Sequence, residues 1–139
     1  MKITRVTDTF SVSPQIRPDD VPTLAAEGYT TVINNRPDGE APDQPASAEI
    51  AAACAAAGLN YVDLPFAHTN FRPELVDGMR STIRSDHGKV FAFCRSGTRS
   101  YTLWALATVK SEADLAAKIE RAAEQGFDIN ASRVLARLM

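Results

Sequence analysis

Alternating strand-like and helix-like segments predict an α/β fold with a central, mostly parallel sheet flanked by helices. Three observations carry this. Short apolar or β-branched runs at 29–34, 61–64 and 89–94 are each followed by a loop and then a helical pattern. Gly28 and Gly58 stand just ahead of two of those runs, where a helix ends in the left-handed region. No repeat, linker or charge block divides the 139 residues, so one domain over 1–139 is expected.

In chain order, residues 3–13 read as a hairpin, with Ile3, Val6, Phe10 and Val12 around polar Thr7 and Asp8. Pro18, Asp19 and Asp20 open a helix, because proline suits a first turn and acids suit the positive end of the dipole. Tyr29–Asn34 is a buried strand, and 35–45 a loop rich in Pro, Gly and Asp. Ser47 is expected to cap an alanine-rich helix that Gly58 ends. On it Ala51, Cys54, Ala55 and Gly58 share a small-residue face that lets the helix approach the sheet. Tyr61–Leu64 is the next strand, 67–72 a polar loop and 73–85 a helix. Lys89–Cys94 is the last clear strand, Gly97 marks a tight loop, and a helix runs from about Arg99 to Thr108. Tyr101, Leu103, Trp104 and Leu106 on it read as core. Ser111 caps a further helix toward Gly126, and Asn130 starts a last short one.

Composition narrows the function classes. Lys+Arg 15 against Asp+Glu 17 gives a formal charge of -2, without the basic surplus that nucleic acid or an anionic membrane demands. Neither is expected as a partner. Two cysteines, Cys54 and Cys94, exclude a disulfide scaffold, and His68 and His87 form no metal-ligand pattern. No metal or organic cofactor is implied. No apolar run reaches a membrane span, and the first ten residues lack a signal-like stretch, so a cytoplasmic setting is expected. Oligomeric state has no signature here.

On parallel sheets, ligands bind outside the carboxyl ends of the strands. That selects the loops carrying Arg36, His68 and Cys94–Arg99. The most informative stretch is Phe91–Ser100: strand, Cys, Gly-containing loop, Arg, then helix. A thiol just before a helix N-terminus sits among unsatisfied N–H donors, where thiolate is favoured. The same donors suit a tetrahedral oxyanion. Gly97 lets the backbone close around it, and Arg99 offers a planar fork for two oxygens. Arg95 projects outward and aids recruitment through its field. Ser100 is placed to hydrogen-bond the sulfur. Arg36 adds positive field or forms a turn salt bridge with Asp38 or Glu40. His68 is a candidate general acid or anion donor. Asn70 reads as a helix-entry cap, and Cys54 as core packing.

Cys94–Ser100 (CRSGTRS), below this strand pattern, resembles the loop of cysteine-dependent phosphatases of the dual-specificity type. More narrowly it resembles the bacterial phosphatase-like family called DUF442 or beta-lactamase-hydrolase-like. Ser13–Gln15, Gly28, Val32–Asp38, Tyr61–Pro65 and Cys94–Trp104 carry the likeness, over roughly residues 2–110. The resemblance implies a cysteine-phosphatase fold with Cys94 as nucleophile. It implies that the amides of Arg95, Ser96, Gly97, Thr98 and Arg99 form the oxyanion cradle, with Arg99 as clamp and Ser100 as helper. Three departures stand out. Four residues separate Cys94 from Arg99 where the phosphatases have five. Phe93 replaces the usual preceding His. The general-acid Asp has its place near His68, while Asp63 lies inside the strand pattern. The shorter loop also resembles that of single-domain rhodanese sulfurtransferases, which implies sulfane-sulfur transfer through a Cys94 persulfide. The expected partner is an anionic small molecule, a phosphorylated substrate or a thiol sulfur acceptor. A non-catalytic anion-binding module is the third reading.

Overall fold

The structure, a computed structural model, describes residues 1–67, 69 and 71–129. The expected helix at Asn130, the cap at Asn70 and the candidate acid His68 lie outside the described residues.

Five strands, β1 (Thr4–Thr7), β2 (Phe10–Ser13), β3 (Tyr29–Asn34), β4 (Asn60–Asp63) and β5 (Lys89–Phe93), form one sheet in the order β1-β2-β5-β3-β4. Only β1 pairs antiparallel; the β2–β5, β5–β3 and β3–β4 pairs are all parallel. The mostly parallel sheet expected from the alternation is therefore present. Two faces follow from the period of two along each strand. Val90 and Ala92 join Val12 and Ile33 on one face, while Phe91 and Phe93 join Tyr29 and Val32 on the other. The first face is covered by α3 (Pro73–Ser85), α4 (Thr98–Thr108) and α5 (Glu112–Glu124), the second by α1 (Val21–Ala26) and α2 (Ser47–Ala57). Leu24, Ile50 and Phe93 are fully buried on the second face. Burying each such side chain contributes roughly 1.5–3 kcal/mol.

Helix α4 is the central element. Every residue from Ser100 to Ala107 is buried, so it is enclosed all round rather than amphipathic. Trp104 stacks on Phe10 at 5.9 Å, and Tyr101 meets Phe127 at 5.4 Å, as the core reading of these aromatics requires.

Local details differ from the sequence reading at three places. Pro18–Asp20 is a 3-10 turn, and the α-helix itself begins at Val21. Ser47 does not cap α2. It is the first helical residue, its N–H donates to Asp38 Oδ1 at 2.8 Å, and its hydroxyl meets Tyr61 OH at 2.5 Å. A carboxylate nine residues upstream thus satisfies an orphan donor that a local cap would have served. The buried stripe of α2 is Ile50 and Cys54, backed by Ala53 and Ala57, and Ala55 is exposed. The helix is seated by a larger aliphatic than the small-residue face supposed. Cys54 is core, as expected, and burial pushes its thiol up to about 11.

Asp86 pins the turn into β5. Thr30 Oγ1 donates to it at 2.7 Å, Gly88 N–H donates at 2.7 Å, and Thr31 Oγ1 donates to its other oxygen. Burial alone would raise this carboxyl, but the Thr31 and Thr30 hydroxyls and the Gly88 amide outweigh it and hold it below the ordinary 3.8. A carboxyl depressed in the folded state stabilises fully above its unfolded value and loses that contribution as pH falls further. Urea midpoints of the wild type therefore fall as the pH drops below 3.8. Asp86→Asn is expected to lower the midpoint at neutral pH and to flatten that acid-side decline.

Candidate active site

The carboxyl ends of β2, β3, β4 and β5 share one edge of the sheet, and the loops leaving them converge there. Cys94 follows β5 directly. Its N–H reaches Ser13 O at 3.4 Å, while Asn35 N–H donates to Phe93 O at 2.8 Å, so the β2 and β3 ends flank it. Cys94 is fully buried yet belongs to neither apolar cluster. Its Sγ accepts the Gly97 N–H at 3.0 Å, inside the loop that leads into α4.

Gly97 makes this possible. Its φ is +98°, in the region L side chains rarely adopt, and it occupies the N-cap position of α4. A Cβ there would lie 3.0 Å from Phe127 Cε1 and 3.5 Å from the Ser13 carbonyl carbon. Glycine is required by both torsion and space.

Arg99 lies in the first turn of α4. Its Nη1 donates to Glu40 Oε2 and to Phe66 O, and its Nη2 donates to Glu40 Oε1, each at 2.8 Å. The end of the guanidinium fork is thus filled by a bidentate carboxylate. A guanidinium has five N–H groups. Those left, on Nε and Nη2, lie side by side along the other edge. Arg99 is held firmly protonated by the Glu40 hydrogen bonds, against burial, with the Cys94 sulfur adding both charge and a hydrogen bond. The Arg99 hydrogen bonds pull Glu40 down to about 2 against its burial, and Arg36 assists.

Arg36 is nearly buried, 5% exposed, and does not reach the cleft. Its Nε donates to Glu40 Oε1 at 2.9 Å and its Nη1 to Gln15 Oε1 at 3.0 Å. Of the two roles the sequence left open, positive field or a turn salt bridge, the salt bridge is formed, and its partner is Glu40. Ser100 is also corrected. Its hydroxyl is buried without any hydrogen-bond partner, and the sulfur takes the Gly97 amide instead. Asp63 points away as expected: burial raises its carboxyl, and it bonds Ser47 beside Asp38.

Arg99, Arg95, Ser96 and Thr98 line one cleft of ≈ 500 Å³ with Glu40 and Ala67. Arg95 is exposed, as expected, and also lines the cleft. Ser96 Oγ donates to Thr98 Oγ1 at 3.2 Å and accepts the Thr98 N–H at 3.4 Å. Another hollow of ≈ 390 Å³ opens between Phe10, Trp104 and Lys118, toward the other end of α4. Among the described residues no group of His, Cys, Asp and Glu could hold a metal, and no helix is long and apolar enough to cross a membrane.

Sequence reasoning missed Glu40 as the partner of Arg99, and it missed Gln15. An acid four residues beyond Arg36, on a loop leaving a strand's carboxyl end, was the available signal for Glu40. Gln15 was passed over because β2 read as half of a hairpin. It also pairs parallel to β5, which brings its carboxyl end to the site.

A family model described as beta-lactamase hydrolase-like protein, phosphatase-like domain, matches residues 2–111. Beta-lactamase hydrolase-like proteins of Agrobacterium fabrum C58 and Xylella fastidiosa Temecula1 are 34% identical over 106 residues and 36% identical over 109. These matches cover 76% and 78% of this chain but only 25% of each relative, so the chain spans about a quarter of their length. Among solved structures, nma1982 of Neisseria meningitidis Z2491, a candidate phosphatase, aligns at TM-score 0.77 and 29% identity, over 94% of this chain and 92% of its own. TpbA of P. aeruginosa, solved in complex with pTyr, shares the fold at TM-score 0.59 and 16% identity, over 96% and 88%. Fold, loop and matches converge: the chain belongs to the phosphatase-like domain family of the beta-lactamase hydrolase-like proteins.

Proposed function

We propose that the protein is a cysteine-dependent phosphatase that hydrolyses phosphomonoesters, with Cys94 as nucleophile and Arg99 as the anion clamp. The observation that carries this is the Gly97 N–H on the Cys94 sulfur at 3.0 Å, beside a guanidinium whose end fork is already anchored. A backbone donor and a fixed cation meet at one sulfur. The amides of the α4 first turn lack acceptors within the helix and suit a tetrahedral oxyanion. The Nε and Nη2 N–H groups on the other edge of Arg99 are placed to donate to its oxygens.

In the first step the Cys94 sulfur attacks phosphorus. The S–P bond forms as the bond to the ester oxygen breaks, and that oxygen takes a proton from His68. The role of His68 rests on its place in the loop after β4. Water then attacks the phosphocysteine, the S–P bond breaks, and phosphate leaves with the water oxygen. As negative charge shifts on the phosphoryl oxygens, the backbone donors and Arg99 hold it without reorganising.

Hydrolysis of para-nitrophenyl phosphate tests the reading. Activity is expected in the wild type and background only in Cys94→Ser. Arg99→Lys keeps the charge and loses the fork, and is expected to lower kcat about 10²–10³-fold. Incubation with thiosulfate, followed by intact mass, gives the opposing outcome. One added sulfur on Cys94 with no phosphate released would overturn the phosphatase reading, and so would neither activity. Gly97→Ala is expected to lose most turnover and to melt lower, since both φ and Phe127 oppose a side chain. Unchanged kinetics in that variant would show that the loop geometry is not what drives the reaction.

A further inference from the structure

Arg36, Glu40 and Arg99 form a charge relay, with one carboxylate bridging two guanidiniums. Glu40 Oε1 accepts from Arg36 Nε at 2.9 Å and from Arg99 Nη2 at 2.8 Å, and Oε2 accepts from Arg99 Nη1 at 2.8 Å. The carrier loop is braced from within. Gln44 accepts the Glu40 N–H at 3.1 Å and donates to Pro37 O at 2.8 Å, while Asp38 holds the start of α2. Arg36 Nη1 also donates to Gln15 Oε1 at 3.0 Å, which fixes the Arg36 guanidinium from its other side.

A mostly buried ion triad is a poor device for stability, because desolvation offsets much of its attraction and apolar replacements often do as well. Its geometry here is better matched to orientation. Glu40 takes the end of the Arg99 fork and Phe66 O takes the remaining Nη1 hydrogen, so the guanidinium has one edge left, on the side of the Cys94 sulfur. A free arginine side chain has considerable rotamer freedom to lose on gripping an anion. This one has lost it beforehand.

We propose that Arg36 and Glu40 are positioning residues: Arg36 fixes Glu40, and Glu40 presents the open edge of Arg99 to the anion, so Arg36 acts on substrate only through Glu40. This rests on the anion site proposed above, not on hydrolysis as such. The probe is inorganic tungstate, a tetrahedral dianion, titrated by calorimetry into wild type, Arg36→Met, Arg36→Lys, Glu40→Gln and the Arg36→Met/Glu40→Gln pair. Each of Arg36→Met and Glu40→Gln is expected to weaken Kd roughly tenfold, the scale of one charge-assisted hydrogen bond. The pair is expected to match Glu40→Gln alone, since a residue acting through another adds nothing once the other is gone. Arg36→Lys retains one donor for Oε1 and recovers most of the affinity.

Losses that multiply in the pair to about a hundredfold would mean that Arg36 touches the anion itself, and would overturn the proposal. Wild-type affinity in Arg36→Met, or tighter binding in Glu40→Gln, would overturn it as well. Glu40→Gln leaves two guanidiniums without their carboxylate. If it fails to fold, Arg36→Met against Arg36→Lys decides: rescue by lysine sustains the proposal, and equal affinity ends it. Tungstate binding by a wild type that hydrolyses nothing would sink only the phosphatase reading. No binding by the wild type would sink both.

Discussion

The hydrogen bond from Gly97 N–H to Cys94 Sγ organises this end of the molecule. It folds the chain back on the sulfur within three residues, which demands the positive φ at Gly97. That turn leads directly into α4, whose N-cap is Gly97. The helix cannot drift, because its next eight residues are buried. The sulfur is held in turn by the strand behind it, since β5 runs between β2 and β3 and both neighbours bond around its end. The chemistry thus sits where a parallel strand, a tight turn and an enclosed helix meet. Each constrains the next.

Electrostatics reinforce the same geometry. The site brings Arg36, Arg99 and Glu40 together within hydrogen-bonding distance, and the bridging acid stays ionised far into the acid range. Opposite charges in a partly dry setting keep their partners fixed better than exposed pairs do. Exposed Arg95 is different: it stands on the cleft wall with its charge toward solvent. Two of the three arginines share one carboxylate, and the third stands apart from it.

Much of the fold was legible in the sequence because local signals agreed with tertiary ones. Tyr29–Asn34 and Lys89–Phe93 combine β-branched or aromatic residues with flanking turn chemistry, and both are central strands. Ser111 caps α5 as read, accepting the Asp114 N–H at 3.0 Å. Ser47 misled because its cap partner is a loop carboxylate, and no local pattern records that. The order Cys, Gly, Arg, helix pointed to the loop, since each residue type answers a backbone or charge requirement there. Glu40 was legible as a partner of Arg36 but not of Arg99, and Gln15 was not legible at the site. Their roles depend on three strand ends converging, a property of topology rather than of neighbouring letters. The Ser100 hydroxyl was assigned to the sulfur from its place in the loop, but it has no partner, and the sulfur accepts the Gly97 amide.

Two neighbours of the site come from beyond the stretch the family model matches. The family model ends at residue 111, yet Phe127 fills the space a Gly97 side chain would need, and Gln125 accepts from Tyr101 OH at 2.6 Å. The rear of the Gly97 turn is therefore backed by chain beyond residue 111. Trimming this protein to residues 2–111 would keep Cys94 and Arg99 and remove the backstop behind them.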